Sequence, residues 1–314
     1  MIFSCIIPAS KKDANSQMLK DLIASIRAQD FPQDQIEILV ITEGDSEQAK
    51  AIGIRRAKGE ICAMFCADNY LSGSNIFRSV KGMFDMHFQI TGVYGKFYDS
   101  QKSDNSLNRY FSLMGNNDPI AWSLGKCDRL PRYSEESDEI YSLMCFKDHV
   151  PSLGDNGFFY RKSHLLDSNL ESYYPMDNAE DLRRKGYVYY LRFNMATVWH
   201  RTSDNLFTFL KKRYRYARDL YSDRTDRRWK MLDTKEDYWR LGLFILCVIT
   251  IIPCLWTSLR GFLRHNDWAY FWHWPVSLGF LITYSLLAIR NLFKYGALFQ
   301  KPQSLSQPLA AARN

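Results

Sequence analysis

Three short apolar runs in the first 65 residues, separated by two stretches of helical periodicity, restrict the fold more than any other feature of this 314-residue chain. Residues 2–7, 36–42 and 61–65 are nearly continuous apolar segments of strand length, the pattern of strands buried on both faces. Residues 17–28 carry leucine and isoleucine at helical spacing with Asn15 or Ser16 available as a cap, and residues 46–57 read as a second helix stopped at Gly59. Strand, helix, strand, helix, strand predicts a parallel sheet covered by helices on both faces. Such sheets bind ligands beyond the carboxyl ends of their strands. Residues 8–10, 42–45 and 66–69 are therefore where chemistry is expected.

The rest of the chain changes character twice. Residues 101–148 are polar and irregular, too long for an ordinary connection, which suggests a functional loop or lid that carries specificity. Beyond residue 205 the pattern is that of a membrane protein. Residues 206–228 hold eight Lys or Arg interleaved with tyrosine and phenylalanine, a basic amphipathic helix suited to a membrane interface. Residues 241–259 are 19 residues without a charge, and residues 268–289 are another 22 interrupted only by His273. Each can cross roughly 30 Å of hydrocarbon. With eight residues between them they predict a transmembrane hairpin, the alternative being two buried helices of a soluble domain. Lys and Arg are far denser before the hairpin than in its link, which places the N-terminal domain and both termini in the cytoplasm. The expected organisation is a catalytic α/β domain over 1–204, an interfacial helical segment over 205–238, a hairpin over 239–292 and a cytoplasmic tail over 293–314.

Composition excludes several classes. With 46% hydrophobic residues and 15% aromatics the chain is neither disordered nor fibrous. The net charge of +7 suits nucleic acid, an anionic membrane or a phosphorylated substrate, but its densest stretch abuts a membrane segment, so no nucleic-acid partner is expected. Seven cysteines without a repeated spacing form neither a disulfide framework nor a zinc site, which fits a reducing cytosolic face. The N-terminus lacks the basic start of a signal peptide and reads as a first strand.

Among the edge residues Asp68 stands just past a buried strand, where a carboxylate can hold Mg²⁺ or Mn²⁺ or simply form a turn. The surrounding run, residues 50–70 (KAIGIRRAKGEICAMFCADNY), resembles a segment of inverting family 2 glycosyltransferases of GT-A fold. In that family an Arg-Asn-x-Gly-Ile helix start, an Ala-x-Gly-Glu stop and an apolar strand lead to Asp-x-Asp. Gly53, Ile54, Ala57, Gly59 and Glu60 match; Lys50 and Ala51 replace Arg-Asn, Cys66 replaces the first Asp, and Asp68 matches the metal-contacting last one. CIIPAS at residues 5–10 is similar to the family's first strand, and Glu43 of ITEGDS stands near its base-binding acid. GDNGFFYRKS at residues 154–163 is similar to the family's Gly-rich acceptor stretch, and Glu180-Asp181 to the acidic pair at a helix start that supplies the catalytic base. His200 falls where the family often has a histidine after its last core strand, and KKRYRY at residues 211–216 is similar to the Gln-x-x-Arg-Trp motif of membrane-bound members.

The resemblance spans roughly residues 2–205 and implies a nucleotide-sugar-dependent transferase. It assigns the donor to Pro8, Glu43, Lys50, Cys66 and Asp68, the metal to Asp68 and His200, and base catalysis to Asp181 with Glu180. It gives the acceptor side to Asp155, Asn156, Gly157, Lys212 and Arg215. The chemistry implied is direct displacement with inversion, Asp181 taking the proton of an acceptor hydroxyl. The neighbouring membrane segments make a lipid-linked acceptor the expectation, with polyprenyl phosphate as an alternative and a non-catalytic membrane scaffold as the rival from another class.

Overall fold

The computed structural model describes residues 1–11, 13–115, 118–130, 133–153, 156–203, 205–219 and 227–295. The expected opening is present. Strands β1 (Phe3–Pro8), β2 (Ile36–Ile41) and β3 (Ile61–Met64) alternate with helices α1 (Gln17–Arg27) and α2 (Ser46–Arg56). Ser16 caps α1 by accepting from the Leu19 N–H, and Asp45 with Gln48 forms a reciprocal capping box on α2. Both helices therefore start where short polar side chains satisfy amides that have no intrahelical acceptor.

After β4 (Asn69–Leu71) and helix α3 (Ile76–Met86), the sheet is completed by β5 (Gly92–Asp99), β6 (Ser134–Ser137), β7 (Tyr141–Cys145), β8 (Phe158–Arg161) and β9 (Tyr189–His200). Among the described residues it has nine strands in the order β2-β1-β3-β8-β5-β9-β7-β6, with β4 paired on the far end of β9. Strands β2, β1, β3, β5 and β9 share one direction; β8 is antiparallel to β3 and β5, and β7 to β9. The carboxyl ends of five strands and the start of β8 thus lie along one edge. That edge gathers Pro8, the loop after Ile41, Cys66 to Asn69, Asn156 and His200.

Alternation along the strands sorts two cores. Phe3, Cys5, Ile7 and Phe159 face α1 and α3, where Leu22, Ile26, Phe77 and Val80 are fully buried and Phe3 stacks on Phe77 at 4.7 Å. Ile6, Met64, Phe158 and Tyr160 face α2 and, following the one-turn α6 (Lys162–Leu165), helix α7 (Pro175–Arg184). Each such buried aromatic or aliphatic side chain contributes about 1.5–3 kcal/mol. Gly53 is where α2 meets β1: a Cβ there would lie 2.5 Å from Ile6 Cγ2. The matched glycine therefore reports close packing of helix on strand.

Residues 101–148 are not an open lid. They contain helices α4 (Ser106–Met114) and α5 (Pro119–Ser123) and the β6/β7 hairpin. Leu107, Tyr110, Phe111, Ile120 and Leu124 are buried against the C-terminal helices in a third core. Polar ties reinforce this docking. Arg109 meets Asp267 at 2.9 Å, Lys126 meets Asp237 at 2.8 Å with both buried, and Trp272 Nε1 donates to Ser106 Oγ at 2.8 Å. The described part of the basic segment is α8 (Leu206–Ala217), which packs on α11 (His273–Tyr295) through Phe209 and Phe280. Within it Arg213 turns inward to pair with Asp118 instead of facing solvent.

The expected pair of straight membrane spans is not what forms. The first apolar run is broken into α9 (Lys235–Thr250) and α10 (Ile252–His265), which meet at 84°. Pro253 has no N–H to continue α9 and its ring would meet a carbonyl one turn back, and Ile251 takes a left-handed φ of 65° at the corner. Among the described residues one helical stretch, Trp268–Lys294, is by itself long and apolar enough to cross a membrane, and the bent pair counts as a second only if it forms one broken span. A multi-pass hairpin is therefore not supported. Most of the expected tail lies outside the described residues.

Candidate functional site

The corner between β3 and β4 is built by Asn69. Its buried side chain accepts from the Cys66 N–H at 2.8 Å, its own N–H donates to the Cys66 carbonyl, and its Nδ2 donates to Asn156 Oδ1 at 3.2 Å. A side-chain amide that folds back on the chain three residues earlier is a local turn former. The corner holds Asp68 outward, with Asp68 Oδ2 3.5 Å from His200 Nε2. His200 is placed by the β4/β9 ladder, where it lies opposite Asn69, and by the Tyr98 ring at 5.2 Å. The Asp68 carbonyl accepts the Arg201 N–H at 3.2 Å, fixing the backbone as well.

Electrostatics keep Asp68 ionised. Burial alone would raise its carboxyl pKa, but the His200 imidazole, its own backbone amide and the Lys212 charge outweigh it and hold the carboxyl below its ordinary value. Lys212 of α8 thus acts on the same group, while Arg215, three residues further and exposed, shares its helix face. The Nδ1 of buried His200 has no hydrogen-bond partner among the described residues. Asn156 joins through Asn69. Gly157 is required by two facts: its φ is +69°, and a Cβ would lie 2.5 Å from Val198 Cγ1. Asp155 lies outside the described residues.

A divalent cation fits the Asp68 and His200 donors. Mg²⁺ and Mn²⁺ in diphosphate sites take one or two protein carboxylates and fill the remaining positions with phosphate oxygens and water. Among the described residues no group of three or more His, Cys, Asp or Glu side chains is placed to hold a metal ion, so Asp68 and His200 would need phosphate oxygens or water to complete a coordination shell.

The other expected residues fall elsewhere. Pro8 ends β1 at the same edge, paired in register with Ile41. Glu43 is held by both terminal nitrogens of Arg56 at 2.8 and 2.9 Å, a pairing that lowers its carboxyl pKa, so contact with a base requires that pair to open. Lys50 is buried in α2, 3.9 Å from Glu47. Cys66 is half-buried at the corner, its amide taken by Asn69.

Glu180 and Asp181 are not at a helix start. They lie in the second turn of α7, whose first turn instead carries Asp177. All three acids are ion-paired. Asp177 meets Arg227 and Asp181 meets Arg228, each at 2.6 Å; Glu180 bonds Arg183 and Arg184 at 2.8–2.9 Å. Asp181 also accepts the Asn169 N–H at 3.1 Å. Neither Glu180 nor Asp181 hydrogen-bonds or ion-pairs with Asp68, His200 or Asn156 among the described residues. The sequence reading missed Asn69 as the organiser, although an Asn in the short polar stretch just past a buried strand is a legible turn signal.

No protein-family model and no curated relative matches the chain. Among solved structures, the mannosyltransferase PcManGT from Pyrobaculum calidifontis, in complex with GDP-Man and Mn²⁺, aligns over 93% of this chain and 87% of its own, at 11% identity and a TM-score of 0.49. S. aureus TarS 1-349 in complex with UDP-GlcNAc aligns over 94% and 87%, at 14% identity and a TM-score of 0.43. Against a longer S. aureus TarS structure the chain spans 41% of that chain's length. Glucosyl-3-phosphoglycerate synthase from Mycobacterium tuberculosis, in complex with Mn²⁺ and UDP-glucose, aligns over 70% and 78%, at 14% identity and a TM-score of 0.41.

Proposed function

We propose that this chain is an inverting glycosyltransferase that moves a sugar from a nucleotide-sugar donor to a lipid-linked acceptor at the cytoplasmic face of a membrane. The observation that carries the reading is the group formed by Asp68, His200 and the Lys212 charge at the carboxyl ends of the parallel strands of a mixed sheet. An ionised carboxylate, an imidazole and a cation there suit a divalent metal and a leaving diphosphate. Asp68 and His200 would hold Mg²⁺ or Mn²⁺, which when bound neutralises charge on the diphosphate. Asn69 and Asn156 keep the corner in place. In this reading Asp181 accepts the acceptor's hydroxyl proton, a role for which Arg228 must move aside. The exposed apolar residues of α9 to α11 favour a membrane-borne acceptor.

Stabilisation of the detergent-purified full chain by a panel of UDP-, GDP- and CMP-sugars with Mn²⁺ tests the reading. One donor should raise Tm, and the shift should vanish in Asp68→Ala. No shift for any donor leaves a non-catalytic membrane scaffold.

One observation favours a second acceptor. All three acids of α7 are neutralised by arginines, whereas a lipid phosphate arrives ionised and needs no base. Asp181→Asn separates the two: a fall in turnover of about a hundredfold supports a hydroxyl acceptor, and undiminished turnover supports a phosphate.

A further inference from the structure

The outer strands of the sheet are finished in different ways. At β6 the edge is blunted by charge and distortion: Glu135 and Glu136 are exposed, Asp138 and Glu139 follow, and the register slips between Ser134 and Glu136. At β4 a helix covers the edge, since the Leu71 N–H donates to Ser25 Oγ of α1 at 3.2 Å. Strand β2 has neither protection. It ends the strand order and runs Ile-Glu-Ile-Leu-Val-Ile without a proline or a bulge. Its one charged side chain, Glu37, is turned onto the Ser4 hydroxyl and the Lys58 N–H, so it does not guard the edge.

The ladder fixes which groups face out. The Gln35 and Ile41 carbonyls accept from the Ile2 and Ala9 N–H groups at 3.0 and 2.9 Å, so the odd-numbered residues bond toward β1 and Ile36, Ile38 and Val40 face away from it. The Ile36 N–H turns back to the Gln33 carbonyl. That leaves the Ile36 carbonyl and both backbone groups of Ile38 and Val40 open to a further strand, among the described residues. The Ile38 and Val40 side chains pack half-buried on the α1 side of the sheet, so the edge is flat and apolar.

Such an edge is a template for another strand, and a second copy of this chain fits it. With the two strands antiparallel about a two-fold axis at Ile38, the two Ile38 residues exchange both backbone bonds and each Val40 N–H reaches the Ile36 carbonyl of the other copy. The same register sets each Glu37 beside a Leu39 and apart from the other Glu37. It also brings exposed Arg27, bonded to Gln33, toward the exposed Glu43 of the other copy. Like charges stay apart and opposite charges approach, which favours self-pairing.

We propose that β2 is a self-association edge: two copies join β2 to β2, antiparallel about Ile38, and make one sheet continuous through both. This goes beyond the transferase reading and does not depend on it. A single strand pair with its flanking side chains falls at the small end of specific interfaces, below about 1,200 Å² in total, so the dimer should exchange with monomer.

Sedimentation of the full chain in detergent at rising concentration should show a reversible monomer–dimer equilibrium. Hydrogen exchange on the same samples should slow by at least about tenfold at the Ile38 and Val40 amides as dimer forms. Ile38→Lys sets two ammonium groups face to face only in the dimer and should abolish association, as should Ile38→Glu with two carboxylates. An equimolar mixture of the two variants should associate again through opposite charges, which loss of core packing alone would not produce. A wild-type chain that stays monomeric with fast-exchanging Ile38 and Val40 amides overturns the proposal, and so does a mixture that stays monomeric. Protection of those amides in a monomer, unchanged by concentration, also overturns it, because another segment of the same chain would then cover β2. A dimer that survives both charged variants overturns it too and moves the contact to the exposed faces of α9 to α11.

Discussion

Two acidic regions of this molecule are handled in opposite ways. At the β3/β4 corner a single carboxylate, Asp68, faces an imidazole and remains about a third exposed. On α7 three carboxylates within ten residues are each matched to guanidinium groups, two of them from Arg227 and Arg228 far along the chain. The difference separates a carboxylate left open from carboxylates already paired. A carboxylate beside a histidine at a sheet edge keeps free oxygen lone pairs for a metal, whereas one clamped by arginine has its acceptor capacity filled. The α7 acids hold the returning chain down: Asp177 also accepts the Trp229 N–H at 2.9 Å, and buried Trp229 donates to the Val150 carbonyl at 2.8 Å.

The largest effect that separates the two regions is on stability. Asp177→Ala removes a fully buried carboxylate that both Arg227 and the Trp229 N–H meet, and should cost about 3–5 kcal/mol, read from the midpoint of chemical unfolding. A cost under about 1 kcal/mol would mean that the clamp is decorative and the comparison fails. Asp68→Asn should behave in the reverse sense. Its unfolding midpoint should move little, while Mn²⁺-dependent turnover falls by about a hundredfold, because the amide keeps the shape and loses the metal-binding charge. Equal turnover in wild type and Asp68→Asn would place the metal elsewhere.

Legibility in the sequence followed the same division between local and distant causes. Ser16 as a cap, the three parallel strands and the exposed corner at Asp68 are set by neighbours within a few residues, and each is where the pattern placed it, whereas Asp45, equally local as the cap of α2, went unread. Helices α4 and α5 were not visible because their apolar residues, such as Tyr110 and Ile120, are buried against helices more than a hundred residues later. The bend at Ile251 was legible in Pro253, but counting charges along residues 241–259 passes over a proline that adds none. The arginine partners Arg227 and Arg228 of α7 had no local signature, since long-range ion pairs follow from the fold and not from spacing.

Glu180 sharpens the comparison at its weak end. Burial would raise its carboxyl pKa, but hydrogen bonds from Arg183 and Arg184, with their charges, outweigh it and lower the folded-state value. A group depressed in this way stabilises the fold above its unfolded pKa of about 4.3 and loses that contribution as pH falls through the folded value. Both partners sit one turn away on the same helix, and pairs of that kind contribute about 0.3–0.5 kcal/mol each. Glu180→Gln should therefore cost only about 1 kcal/mol at pH 7. The gap between variant and wild type should narrow as pH falls through the folded-state value, below the unfolded one, as the wild-type carboxylate takes up its proton. Unfolding midpoints across pH 3 to 7 for the two proteins measure this. A gap that persists undiminished at pH 3 would show that Glu180 acts through packing, and that charge pairing on α7 is confined to the acids bound by Arg227 and Arg228.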